Sequence, residues 1–270
     1  MSKLTTSINK IRSLEELAEG GTAVHRLHPM AKLITTFVYL LAVISFDKYN
    51  ISGLMPFFIY PVLMMSLGEI PYRAVLSRLL IALPFSFFAG LANPFLDRGT
   101  ALYLAGVPVS WGLLSFFSLM LKTVLTVSAV LILIAATPMD RLAGQLTRIK
   151  VPKIFVMQLM LTYRYLTLLT SEAASMMTAY HLRSKEQKGI QLRDVGTFLG
   201  QLLLRSFGRA ERVYYAMKCR GYSGEYQFAA GDKMKPGDYI YAISVCAVFL
   251  LLRRYNISVI IGSLIEGGIL

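Results

Sequence analysis

The chain has 270 residues, 55% of them hydrophobic and only 16% charged, with a mean hydropathy of +0.56. That is more apolar surface than a soluble domain of this size can bury, so the composition excludes an ordinary soluble globular protein and indicates an integral membrane protein. Twenty-eight Lys and Arg against 15 Asp and Glu leave a net charge of +13, and two cysteines, Cys219 and Cys246, make no disulfide framework.

Residues 1–31 are polar and charged, without an apolar core followed by a small-residue cleavage site, which argues against a cleaved signal peptide. Ser13 and Glu16 have the spacing of a capping box at the start of a surface helix. His25 and His28 are three apart, so one helical face could present both to a metal. No third ligand is identifiable nearby, and a structural or interfacial role is expected for them.

Apolar runs long enough, or nearly so, to cross a hydrocarbon core of about 30 Å occupy residues 32–46, 51–67, 79–95, 112–136 and 239–252. About five spans are expected. The tail 257–270 is apolar but short, and Glu266 and Gly267-Gly268 interrupt it, so a sixth span stays open. Pro84 and Asn93-Pro94 predict a kink or early stop in the third span. In the fourth, Ser115, Ser118, Lys122 and Thr126 share one face. Packing on a neighbouring helix is the plain reading of that stripe; the functional one makes Lys122, a charge at membrane depth, a contact to a membrane partner.

Lys and Arg set the orientation. Lys3, Lys10, Arg12 and Arg26 precede the first span, Arg73 and Arg78 follow the second, and residues 137–237 hold sixteen of the twenty-eight, whereas the intervening loops hold only Lys48 and Arg98. The positive-inside rule then places the amino terminus and the long basic segment in the cytoplasm. Basic loops beside anionic lipid account for the net charge, so no nucleic acid is required.

The basic segment opens with Thr137-Pro138-Met139-Asp140, a helix-start signature. Leu142, Leu146 and Ile149 recur opposite Arg141, Arg148 and Lys150, which predicts an amphipathic helix at the interface. A long helical pattern follows from Val151-Pro152 to about His181. Its early part, 154–169, is apolar nearly all round apart from Gln158 and Arg164, and burial is expected there because Arg164 would be costly against lipid. After the polar turn 184–189 a second long helix runs over 192–219. Arg205, Arg209, Arg212 and Arg220 fall on one face of it as a basic stripe. Gly196 and Gly200 have the small-x-x-x-small spacing of a close helix crossing.

Both long helices end alike, in Ala179-Tyr180-His181-Leu182-Arg183-Ser184 and Ala216-Met217-Lys218-Cys219-Arg220-Gly221. A basic stripe alone reads as a solvated, lipid-facing surface. The duplicate suggests instead two matched plugs, each arginine reaching an acidic pocket and each small residue allowing close approach to a partner backbone. No Gly-x-x-x-x-Gly-Lys-Ser/Thr loop is present to hold nucleotide phosphates.

These echoes resemble the paired Ala-Arg-Gly motifs of the transmembrane coupling subunit, or T component, of energy-coupling factor (ECF) transporters, a branch of the ABC transporters for vitamin and metal uptake in prokaryotes. Further likenesses are His25-Arg26-Leu27-His28-Pro29 with Lys32, Thr162-Tyr163-Arg164-Tyr165-Leu166, and Leu204-Arg205-Ser206 through Arg209-Ala210-Glu211-Arg212-Val213-Tyr214 into the second motif. The last block looks most like the cobalt-type subunit (CbiQ family). The resemblance implies a non-catalytic subunit that binds no cofactor, ATP being held by two cytosolic ABC ATPase subunits. It also implies a membrane-embedded substrate-binding subunit as partner, and Arg183-Ser184 and Arg220-Gly221 as the residues seated in the ATPases. The family's alanine is replaced by Leu182 in the first motif and Cys219 in the second.

The expected fold is all-α and polytopic. Its parts are a cytoplasmic segment 1–31, transmembrane helices in 32–136, a cytoplasmic coupling region 137–237 and a last transmembrane helix with tail in 238–270. The expected function is ATP-driven coupling in a cobalt importer. Alternatives are a T component for nickel or a vitamin, and an intramembrane enzyme, for which no convergent set of nucleophile, base or metal ligands is visible. A self-contained secondary transporter would show inverted repeats, and the one repeat here lies in the basic segment.

Overall fold

The computed structural model describes residues 17–18, 20–96, 100–104, 107–184, 189–224 and 233–255. The Ser13 and Glu16 capping box, the 257–270 tail and the centre of the 184–189 turn lie outside the described residues. The described residues divide into two compact units, one of residues 139–224 and one of residues 17–138 with 233–255.

The apolar unit contains α1 (Pro29–Ile44), α2 (Ser52–Leu67), α3 (Tyr72–Gly90), the strands β1 (Thr100–Leu104) and β2 (Val107–Ser110), and α4 (Trp111–Ala136). After the second unit the chain returns to it as the last helix, Pro236–Arg254. Three of these helices, α3, α4 and Pro236–Arg254, are long and apolar enough to cross a membrane; α1 and α2 are apolar but shorter. The sixteen residues of α1 span roughly 24 Å at 1.5 Å per residue, short of a full hydrocarbon core. The protein is thus a multi-pass membrane protein built of helices. To the expected all-helical plan the structure adds one antiparallel hairpin, β1–β2, which pairs Thr100 with Ser110 and Leu104 with Val107 in the connection to α4.

Local sequence explains the ends. His28 caps α1 by accepting the Met30 N–H on Nδ1 at 3.1 Å, with Pro29 in the first turn, where its missing donor is no loss. Ser110 does the same for α4, accepting the Leu113 N–H at 3.3 Å. The Ser52–Phe58 part of α2 is 3-10 helix containing Pro56, and α-helix follows over Ile59–Leu67. α3 runs through Pro84 without a break and stops at Gly90, before Asn93-Pro94.

Packing within this unit rests on aromatic rings and small residues. Tyr39, Phe57, Tyr60 and Phe249 form a cluster with ring centroids 4.7 to 6.1 Å apart, and the Tyr39 hydroxyl donates to the Phe57 carbonyl at 3.0 Å. Such pairs add to area burial through offset and edge-to-face geometry. α3 and α4 approach closely at Gly90, where a Cβ would lie 3.0 Å from the Phe116 ring, and the segment after α3 lies against Gly112, where a Cβ would meet the Asn93 carbonyl at 2.4 Å. Ser86 with Thr123 at 2.6 Å joins α3 to α4, and Asn93, in the segment after α3, donates to Ser115 of α4 at 3.1 Å. Outward apolar side chains such as Ile81, Phe85 and Phe88 stay exposed, as lipid-facing residues must.

The second unit contains α5 (Met139–Leu146), α6 (Lys153–Arg183) and α7 (Leu192–Cys219); the last helix of the chain is then α8 (Pro236–Arg254). α5 is shorter than expected. It ends at Leu146, and Ile149 lies beyond it in a turn that brings Lys150 to a positive φ of 66°.

Candidate functional site

α6 and α7 are long because neither carries an internal proline or a run of β-branched residues, and each has a defined stop. At Arg220 the stop is a Schellman motif: the Tyr222 N–H bonds the Met217 carbonyl and the Gly221 N–H the Lys218 carbonyl, both at 3.0 Å. Gly221 has a φ of +87°, which a residue with a Cβ adopts only under strain. The other helix ends differently. Ser184 keeps a φ of −94° and closes α6 by giving both its N–H (2.9 Å) and its hydroxyl (3.0 Å) to the Tyr180 carbonyl. Serine in place of the expected glycine is therefore compatible with the first motif.

Contacts at three levels join the helices among the described residues. The Tyr180 hydroxyl donates to Asp194 Oδ2 at 2.7 Å and accepts the Gln191 N–H at 3.4 Å. Glu172 pairs with Arg205 at 3.1 Å and with Arg209 at 3.3 Å. Near the far end the Tyr222 hydroxyl donates to Met157 Sδ at 3.5 Å. As residue numbers fall along α6 their partners' numbers rise along α7, so the two helices form an antiparallel hairpin. Arg183 stands at the turn end. Arg220 stands beside Leu161 and Arg164, roughly 30 Å of helix away. Both motif arginines are exposed, and among the described residues neither side chain has an ion-pair or hydrogen-bond partner.

The basic stripe has a partner within the chain. Arg205 and Arg209 pair with Glu172 within the hairpin while their side chains stay 55% and 37% exposed, and Arg212 lines the same surface depression as that cluster. Glu172 was legible as the one acid in α6, but only the pairing shows its use. Asp194 likewise pushes the Tyr180 phenol above its ordinary value, because the hydroxyl donates to the carboxylate and loses that bond on ionising.

Gly196 and Gly200 do not make the expected crossing. A Cβ at either would meet nothing within 4 Å, whereas Gly90 and Gly112 in the apolar unit do sit close against neighbouring segments. Nor is the 154–169 stretch buried: Val156 is the one buried residue in α6, and α7 has none. The reason is the number of neighbours. Among the described residues of this unit α6 has one long partner, α7, and one short one, α5, and Ile154 and Phe155 are 68% and 67% exposed. Between α6 and α7 an apolar cleft of about 400 Å³ opens, lined among others by Met157, Leu161, Tyr165, Val213 and Met217.

Lys122 is satisfied within the chain. Its ammonium donates to the Phe46 carbonyl at 2.5 Å, and Thr126 bonds back to the Lys122 carbonyl at 2.7 Å, so the polar stripe of α4 meets protein. His25 contacts Thr22 through Nδ1 at 2.6 Å, while the His28 N–H donates to Asp238 Oδ1 at 3.0 Å. Among the described residues no group of three or more His, Cys, Asp and Glu side chains could hold a metal ion.

Residues 20–229 match the CbiQ family, described as cobalt transport protein. The chain is 25% identical over 232 residues to the energy-coupling factor transporter transmembrane protein EcfT of Ruminiclostridium cellulolyticum, covering 78% of this chain and 84% of that one. It is 26% identical over 220 residues to EcfT of Streptococcus equi subsp. equi, covering 76% and 81%. It is also 30% identical over 121 residues to the nickel permease LarQ of Lactiplantibacillus plantarum, 44% of either chain.

Proposed function

The chain belongs to the CbiQ family of cobalt transport proteins, and from that premise we propose that it is the non-catalytic coupling subunit of an ECF-type importer. It joins two cytosolic ABC ATPases to a membrane-embedded substrate-binding subunit. The observation that carries this reading is the hairpin itself: two helix ends of like sequence, each with an exposed arginine lacking a partner among the described residues, set at opposite ends of one rigid antiparallel pair. Two such ends suit two similar partners. Each guanidinium offers a bidentate contact to an acidic groove, which a lysine would not reproduce.

ATP-driven closure of the ATPases brings their grooves together, and the helix ends follow. Pairing of Glu172 with Arg205 and Arg209 lets the two helices move as one body, so the displacement passes to the membrane-embedded partner. The amino terminus and the α5–α7 unit face the cytoplasm, in keeping with their share of the basic residues. This chain binds no cofactor; ATP sits on its partners.

Cobalt is the cargo that the family's description favours. Nickel is the second reading, favoured by the likeness to LarQ. The test is affinity purification in mild detergent with uptake measured in parallel. The native chain retains ATPases and a small hydrophobic subunit, whereas Arg183→Glu with Arg220→Glu loses the ATPases and uptake while staying folded in the membrane. Normal uptake in the double exchange removes the reading. Competition between labelled cobalt and nickel separates the two cargoes.

A further inference from the structure

Arg164 is the one charge in the apolar first half of α6 after Lys153, and nothing above gives it a task. It lies 56 positions from Arg220 in the chain, yet both line one cleft of about 580 Å³ at the end of the hairpin, with Tyr165, Met217, Tyr222 and Ser223 among its other walls. Among the described residues no acid lines the cleft. Among the described residues neither guanidinium has an ion-pair or hydrogen-bond partner. The contrast with Arg205 and Arg209 is instructive, because there α6 supplies Glu172 to neutralise the pair. The positions one turn from Arg164 are Met160, Leu161, Thr167 and Leu168, so its own helix offers no counter-charge.

Two cations facing one cleft repel each other, and an anion entering between them relieves that repulsion while gaining charge-assisted hydrogen bonds. The apolar walls from Tyr165, Met217 and Tyr222 strengthen those bonds by thinning the water around them. The Gly221 and Tyr222 N–H groups are engaged in closing the helix stop. The two guanidinium groups are the charged donors that the cleft offers.

We infer that Arg164 is a second anchoring arginine of the Arg220 seat, and that the two together clamp a carboxylate side chain of the ATPase docked there. This rests on the coupling role proposed above. A carboxylate on a protein partner suits the site because Arg220 ends the helix that enters that partner, and the cleft opens beside it.

The test uses the co-expressed full complex. Arg164→Gln weakens ATPase retention about tenfold, the size of one charged hydrogen-bonding contact, and shifts release to lower salt. In Arg164→Lys, carbodiimide couples the introduced amine to an ATPase carboxylate, read by mass spectrometry of the linked peptide; this readout needs only a folded complex. ATPase retention unchanged in Arg164→Gln, or coupling confined to this chain or to the substrate-binding subunit, overturns the inference. So does a loss confined to binding of vesicles containing anionic lipid, which would assign the pair to head groups. The parent reading fails separately, by ATPase retention in Arg183→Glu with Arg220→Glu.

Discussion

Lys122, near the middle of α4, donates its ammonium to the main-chain carbonyl of Phe46, just past the end of α1, at 2.5 Å. The reverse contact exists at the opposite ends of the same two helices: Lys32 of α1, 2% exposed, donates to the carbonyl of Ala136, the last residue of α4, at 2.7 Å. The last carbonyls of a helix have no partner within it and carry its negative pole, so a cation there is doubly favourable. Lys32 thus caps the carboxyl end of α4, and Lys122 binds the chain two residues beyond α1. Arg253 of α8 adds a bond to the Ser45 carbonyl at 2.9 Å.

Lys122→Met removes the donor and leaves the Phe46 carbonyl unmatched, a loss of about 1–3 kcal/mol. In a chain of this size that lowers Tm by several degrees, with Lys122→Gln falling less because an amide still donates. Thermal melts in detergent check the order. Uptake per folded molecule stays at the native level in both, and a fall in uptake at unchanged Tm would return Lys122 to a partner contact.

Glu172→Gln releases Arg205 and Arg209 together. Their side chains are 55% and 37% exposed against 19% for Glu172, so the combined loss is only about 1 kcal/mol and is screened by salt. Melts at low and high sodium chloride should show a destabilisation that shrinks as salt rises. A deficit independent of salt would mean packing, not charge, holds the hairpin there.

Gly221→Ala forces a side chain into a φ of +87° and costs about 1 kcal/mol. Gly221→Asn costs less, since asparagine tolerates that region. Ser184, at a φ of −94°, needs no such freedom, and Ser184→Ala loses only its hydroxyl bond to the Tyr180 carbonyl. The ranking Ala below Asn below Gly at position 221 is read from helix melting by circular dichroism. Equal stability of the three would contradict the Schellman ending.

Tyr180→Phe removes the bond to Asp194 at the turn of the hairpin. The folded-state phenol is raised above its usual value of about 10, so its stabilisation is full below that pH and lost as pH climbs through the raised value. The native chain's Tm advantage over Tyr180→Phe is therefore constant from pH 7 to about 10 and declines at higher pH. A decline already between pH 7 and 9 would refute the assignment.

Much of the site was legible because it is local. The echo ending in Arg183-Ser184 and Arg220-Gly221 is visible by eye, the second long helix was read as 192–219 and is found as Leu192–Cys219, and Gly221 is the residue a helix stop demands. Composition and apolar run length were enough for a multi-pass helical protein, since hydrophobicity is a property of each segment alone. The sequence could not tell what lies across from each residue. Arg205 and Arg209 read as an outward stripe because the wheel of one helix says which side chains share a face, not which helix covers it. Gly196 and Gly200 match a spacing that permits a crossing without requiring one, whereas Gly90 and Gly112, without that spacing, sit close against other segments. Lys122 and Lys32 find carbonyls 76 and 104 positions away, and Arg164 meets Arg220 only because α6 and α7 run antiparallel. Element type, membrane class and the helix ends follow from residues near one another in the chain. Charge pairing, the two lysine contacts and the two-arginine cleft depend on the packing of distant segments, where the partner of a polar group is chosen by the geometry of burial.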